Sequence, residues 1–179
     1  MNEKVIIKRR AELELKIESL AYGGMGVAKK DDFVIFVKGA IPGQIVNARV
    51  YKKKKGYAEA QTLNIVSESP NAVEPKCNHF YICSKIQNLS YKEQLIEKGN
   101  QVEDAFQRLG GFKEFKLKKV IKGDPTFNYR NKMEFTFSPH RWVLESEPEG
   151  VDKSFALGLH IPGRYDKILD INNCHIQTE

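Results

Sequence analysis

The sequence predicts an α+β fold in two parts. The first is a small five-stranded β-barrel, and the second is a mainly antiparallel part with one long helix. Three observations carry this reading. Residues 11–67 alternate polar and apolar with period two between Gly/Pro turns. Residues 90–109 hold an apolar stripe at helical spacing. Period two then returns, most clearly in 129–138. A chain of 179 residues has room for one ordinary domain or two small ones.

The elements follow in order. Ala11 to Glu18 alternates and reads as a strand with one buried face. Gly23-Gly24-Met25-Gly26 is a turn rich in residues that tolerate positive φ. Phe33 to Val37 is a short, mostly buried strand, and Pro42-Gly43 turns the chain. Gln44 to Tyr51 alternates again, Lys52-Lys53-Lys54-Lys55 with Gly56 forms a hairpin tip, and Tyr57 to Val66 returns. Short strands at this spacing predict a closed barrel of the oligonucleotide-binding kind. Ser67 to Pro75, with two prolines, is a linker. Ser90 to Leu109 is the helix, with Ser90 and Glu93 as a capping box and Leu95, Val102, Phe106 and Leu109 on one face. Gly110-Gly111 stops it. Phe115 to Ile121 is a strand and Gly123-Asp124-Pro125 a turn. Tyr129 to Ser138 is a strand with Met133, Phe135 and Phe137 on its core face and Arg130 and Lys132 on the other. Phe155 to Ile161 and Lys167 to Ile171 complete the set. The domain division is 1–68 for the barrel, 69–76 for the linker and 77–179 for a partial central domain.

Composition narrows the function. No apolar run approaches the ~20 residues of a membrane span, and the N-terminal apolar stretch is too short for a signal peptide. No membrane partner and a cytoplasmic location are therefore expected. The net charge is +6. Residues 1–70 hold 13 Lys/Arg against 8 Asp/Glu, and the rest 16 against 15. The excess lies in the barrel and is densest at Lys52 to Lys55. Such a surface favours polyanions, because each neutralised phosphate releases counterions. Lys38, Arg49, Tyr51, Lys52, Lys53, Lys54, Lys55 and Tyr57 cluster on strands around one hairpin; they read either as a nucleic-acid surface of cations and stacking rings or as a solvated lysine tip with tyrosines packed on the barrel. Arg130 and Lys132 share one strand face and read equally as a second phosphate-contacting pair or as solvated cations over a core of Met133, Phe135 and Phe137.

The three cysteines are Cys77, Cys83 and Cys174. In a reducing compartment three thiols point to metal or to free thiols rather than disulfides. They are one short of the four that hold an iron–sulfur cluster or a structural zinc.

Several segments carry a resemblance. Glu18 to Ala28 is similar to the glycine turn of the TRAM domain, an RNA-binding barrel, and Phe36 to Gln44 to its Pro-Gly segment. Cys77…Cys83 followed by Gln87-Asn88-Leu89-Ser90-Tyr91-Lys92-Glu93-Gln94-Leu95 resembles the cysteine region of the uracil-5 RNA methyltransferase family. So do Tyr129-Arg130-Asn131-Lys132-Met133-Glu134-Phe135, Leu157-Gly158-Leu159-His160, Gly163-Arg164-Tyr165-Asp166, and Asp170-Ile171 with Cys174. The order is kept along almost the whole chain, which resembles the N-terminal half of the family. One departure is local: Ser84-Lys85-Ile86 follows Cys83 where the family has Gly-Gly-Cys.

The resemblance implies an RNA-binding portion of an S-adenosylmethionine-dependent methyltransferase acting on uracil C5 in 23S rRNA or in tRNA. It implies a 4Fe-4S cluster on Cys77, Cys83 and Cys174 with the third family ligand absent. Two readings stay open there: a cluster completed by an outside ligand, by His79 or by His175, and a degenerate site whose thiols are packing residues. The family's Rossmann-like half, with its cysteine nucleophile and base, has no counterpart among these residues. The chain alone is expected to be inactive and to bind no S-adenosylmethionine, with catalysis on a continued or separately encoded half. The alternative is a free-standing RNA-binding protein.

Overall fold

The computed structural model describes residues 7–144 and 147–178. These pack as two compact units. The first takes in the chain up to Pro75 together with Cys83–Lys122, and the second Lys76–Ile82 together with the chain from Gly123 on.

The first unit holds six strands: β1 (Glu12–Lys16), β2 (Ser19–Leu20), β3 (Gly26–Lys30), β4 (Phe33–Lys38), β5 (Ile45–Lys53) and β6 (Tyr57–Ser67). They form one sheet in the order β1-β5-β6-β4-β3-β2. The β4–β6 ladder is parallel and the others antiparallel. Period two sorts β5 cleanly: Val46, Ala48 and Val50 are buried and Arg49 and Tyr51 exposed. With Leu15, Ile17, Ala28, Ile35, Val37, Ala58 and Ala60 they make the core. Ala28, Ala48, Ala58 and Ala60 are small enough to let the strands come close around it.

The expected closed barrel of five strands is corrected to an open sheet of six. The first expected strand ends at Lys16 because the chain changes neighbours there. Ile17 N–H donates to Gln44 O at 2.9 Å and Glu18 N–H to Val27 O at 2.8 Å. The chain thus leaves β5 and takes up β3, so β1 and β2 are successive in sequence yet stand at opposite ends of the strand order. No ladder joins them. The hairpin tip is also shorter than expected. Lys52 and Lys53 still belong to β5, and Lys54 N–H closes the turn on Tyr57 O at 2.8 Å.

The linker residues are stitched into the first unit. Val73 N–H donates to Asn88 O at 2.9 Å and Ser90 N–H to Asn71 O at 2.9 Å. After the single-turn helix α1 (Phe80–Cys83), helix α2 (Tyr91–Asp104) begins at Ser90 and passes into a π-helical turn over Ala105–Leu109. The expected capping box does not form, since the Ser90 side chain makes no cap bond. Gln94 anchors this end instead, its amide donating to Leu89 O at 2.8 Å and Ile86 O at 3.1 Å.

The expected apolar stripe is not the buried face of α2. Leu109 is 88% exposed, and Val102 and Phe106 are also open to solvent. The buried residues are Glu97 and Gly99. Glu97, 6% exposed, accepts the Leu20 N–H at 2.7 Å, and Gln101 donates to Leu20 O at 3.1 Å. The helix therefore docks by polar groups, because its partner is the open edge of β2 with unpaired backbone donors and acceptors. Phe115 to Ile121 is not a strand. Leu117 and Val120 lie over Gly99, and the Phe115 ring stacks at 5.0 Å from Phe106, so this segment finds its apolar partners on the helix.

The second unit holds β7 (Thr136–Ser138), β8 (Arg141–Trp142), β9 (Ala156–Ile161) and β10 (Arg164–Asp170) in the order β7-β9-β10-β8. Two ladders are antiparallel and β10–β8 is parallel. The expected strand over Tyr129 to Ser138 shrinks to its last three residues, because only these meet β9. Upstream, Arg130 bridges to the chain end, with Arg130 N–H donating to Ile176 O at 2.8 Å and Thr178 N–H to Arg130 O at 2.9 Å. Phe137, expected in the core, is 72% exposed. Gly158 lets β9 and β10 approach: a β-carbon there would overlap the Leu169 carbonyl oxygen. Arg141 joins the carboxylates of Glu147 and Asp170. Among the described residues no helix is long and apolar enough to cross a membrane.

Candidate nucleic-acid interface

The site is built on the outer face of the first sheet. Strands β5, β6 and β4 lie side by side with Val50, Ala58, Ala60, Ile35 and Val37 turned inward. Alternation sends Arg49 and Tyr51 of β5, Tyr57 and Glu59 of β6, and Phe36 and Lys38 of β4 outward. Phe36 and Tyr57 meet edge to face with centroids 5.6 Å apart. Eight residues anticipated from the sequence thus gather around one hairpin, with Lys53 to Lys55 at its end.

A bulge sets the electrostatics. Val50 pairs with Ala60 and Lys52 with Glu59, leaving Tyr51 as an extra residue in β5. Both side chains then reach Glu59. The Lys52 ammonium donates to it at 2.6 Å and the Tyr51 hydroxyl at 3.0 Å. Lys52, followed by Tyr51, holds the Glu59 carboxyl below its ordinary value, and Lys54 adds a weaker pull through space. In return Glu59 raises Lys52. Burial, then the bond to Glu59, pushes the Tyr51 phenol up. Arg49 is held as well, donating through Nε and Nη2 to Glu12 at 3.0 and 2.7 Å. Among the described residues Lys53, Lys54 and Lys55 form no ion pair.

The eight candidates are therefore not equivalent. Lys53, Lys54 and Lys55 are charges ready for an incoming anion, while Lys52 and Arg49 must first be released from carboxylates. Sequence reasoning missed Glu59, Glu12 and Phe36. Glu59 was findable: it stands between Ala58 and Ala60, so period two puts it outward beside Tyr57.

The second basic pair is less organised. The strand that was to align Arg130 and Lys132 is not formed. Lys132 pairs with Glu134 at 3.0 Å, and the Arg130 guanidinium lies 3.8 Å from the Met133 sulfur.

Cys77 and Cys174 are half-buried and Cys83 is exposed. Among the described residues no three His, Cys, Asp or Glu side chains come together to hold a metal ion. A four-iron cluster takes four thiolates, and Ser84-Lys85-Ile86 supplies none, so the residues present do not fit that group. His79, offered as a nitrogen ligand, is held below its ordinary value by burial first and then by nearby His175.

Residues 8–63 match the TRAM domain. The match lies within the first unit and covers its strands β1 to β5 and most of β6. Relatives extend the match beyond it. An "Uncharacterized RNA methyltransferase" of Porphyromonas gingivalis is 40% identical over 90% of this chain and 37% of that protein. One of Bacteroides thetaiotaomicron is 38% identical over 89% of this chain and 36% of that protein. The chain is a homologue of proteins named RNA methyltransferases, and it spans little more than a third of their length. The crystal structure of the Pyrococcus abyssi tRNA (uracil-54, C5)-methyltransferase in complex with S-adenosyl-L-homocysteine matches 93% of this chain and 33% of that one. Its TM-score is 0.56 at 22% identity, a likeness of fold.

Proposed function

We propose that this chain is the RNA-binding portion of an S-adenosylmethionine-dependent RNA (uracil-C5-)-methyltransferase, directed to 23S rRNA. The observation that carries the reading is the row of unpaired lysines, Lys53 to Lys55, beside the aromatic outer face of the TRAM domain. Homology to proteins named RNA methyltransferases supplies the class of reaction. The lysines neutralise phosphates and Tyr51 and Tyr57 offer faces to unpaired bases, an arrangement that tolerates many sequences. Arg130 and Lys132 are a separate point of phosphate contact. The chain's own task is capture and positioning of RNA. The methyl donor and the transfer step are assigned to none of its residues.

The test is a titration of single-stranded RNA by fluorescence anisotropy between 50 and 200 mM salt. The expected result is binding whose log affinity falls linearly with log salt at about −0.7 per neutralised phosphate. Absent binding, or binding indifferent to salt, refutes the reading.

A further inference from the structure

We infer that Tyr22 is a base-stacking point for RNA, held out by the turn between β2 and β3 and backed by Lys85. The inference rests on the RNA-binding reading above and adds a contact at the other end of the sheet.

Tyr22 is 94% exposed. Its backbone, in contrast, is fixed from every side. Ala21 N–H donates to Met25 O at 2.8 Å and Gly24 N–H to Ala21 O at 3.0 Å. Gly23 and Gly24 take φ values of 91° and 83°, which glycine adopts without strain. On the N-terminal side, the buried Glu97 carboxylate holds the Leu20 N–H, and Gln101 donates to the Leu20 and Ala21 carbonyls. On the C-terminal side, Lys85 and Ile86 lie against Gly24, where a β-carbon would stand 3.2 Å from Lys85 Cβ and 3.5 Å from Ile86 Cγ2. Lys85 itself is held at φ 58°, an uncommon conformation for a lysine. A turn built this firmly around a ring this exposed is preorganised for a ligand, because little backbone freedom is lost on binding.

The chemistry of that ligand follows from the neighbours. A planar aromatic on a turn against which an exposed lysine, Lys85, is packed suits a nucleobase and its phosphate. The register also fits. Val34 of β4 pairs with Tyr57 near the lysine tip, and Val37 pairs with Gly26 at the far end. The two ends are about 10 Å apart along the strand at ~3.3 Å per residue. Lys54 and Tyr57 thus lie toward one end of β4, and Lys38 and the turn that carries Tyr22 lie toward the other.

The experiment titrates one fluorescent single-stranded RNA with the full chain and its variants. Tyr22→Ala is expected to weaken binding roughly 5- to 140-fold, the conversion of ~1–3 kcal/mol of stacking at 1.4 kcal/mol per decade. The slope of log affinity against log salt should not change. Tyr22→Phe should bind as the parent does, and Lys85→Ala should flatten the slope by about 0.7. The Tyr22 side chain is exposed, so the thermal melts should coincide. If the parent binds and Tyr22→Ala binds equally well, the inference fails and the RNA reading stands. A change of slope with Tyr22→Ala overturns the stacking role. If the parent itself does not bind, both fall together.

Discussion

Replacing Lys53, Lys54 and Lys55 together by alanine is the sharpest probe of the interface. The structure separates these three from Lys52, whose ammonium already sits on Glu59 at 2.6 Å. Three unpaired cations can neutralise three phosphates. At about 0.7 per phosphate on a single strand, the triple variant should flatten the salt slope by about 2. Over a fourfold rise in salt, from 50 to 200 mM, the parent should then lose roughly 16-fold more affinity than the variant. Lys52→Ala should change the slope by much less than 0.7, since that lysine gives up one anion to take another. Glu59→Gln should steepen the slope by about 0.7, because it releases Lys52 while Tyr51 keeps a polar partner. Anisotropy titrations at four or five salt concentrations resolve these differences. If the triple variant keeps the parent's slope, the lysine tip is only a solvated turn. A full 0.7 lost with Lys52→Ala alone refutes the division between held and free cations.

Three further outcomes test the architecture. Glu97→Ala leaves the buried Leu20 N–H without an acceptor and should cost about 1–3 kcal/mol, read from urea melts; Glu97→Gln, which keeps an oxygen there, should cost less. Gly158→Ala forces β9 away from Leu169 and should destabilise the second unit by about 1–3 kcal/mol or more. Trp142, the single tryptophan, lies in that sheet, so its fluorescence reports the change. The Glu147 carboxyl is held below its ordinary value by the Leu144 N–H and then by Arg141. A depressed carboxyl stabilises above its unfolded value of ~4.3 and loses that contribution as pH falls through its folded value. The urea midpoint of the second unit should therefore drop in that acid window, and Glu147→Gln should remove part of the drop.

What could be read from the sequence depended on whether local pattern and tertiary partner agreed. In β5 and β6 they agree: Val46, Ala48, Val50, Ala58 and Ala60 face a core, and period two reveals it. In α2 they disagree. The helical stripe of Val102, Phe106 and Leu109 obeys the usual rule, but the partner is a strand edge that needs acceptors and donors, so the buried Glu97 and the half-buried Gln101 face it instead. From Tyr129 to Ser138 the alternation is real, yet a strand requires a neighbour, and β9 reaches only Thr136, Phe137 and Ser138. The candidate interface was legible as a cluster of residue types around one hairpin. Its inner accounting was not, because the attachment of both Tyr51 and Lys52 to Glu59 depends on a one-residue bulge. Tyr22 stayed hidden in a turn recognised for its glycines.

The docking of α2 on β2 also bears on how the chain is made. The ribosome releases the six strands well before it releases Glu97 and Gln101. At ~5–20 residues per second, the β2 edge waits on the order of seconds for its cover. A nascent sheet with open Leu20 N–H and C=O groups is a template for pairing with another chain. Boundary choice in the laboratory repeats this in permanent form. A fragment ended at Ser67 would hold every strand of the sheet and still carry a sticky edge, whereas one continued through Lys122 would bring its own guard.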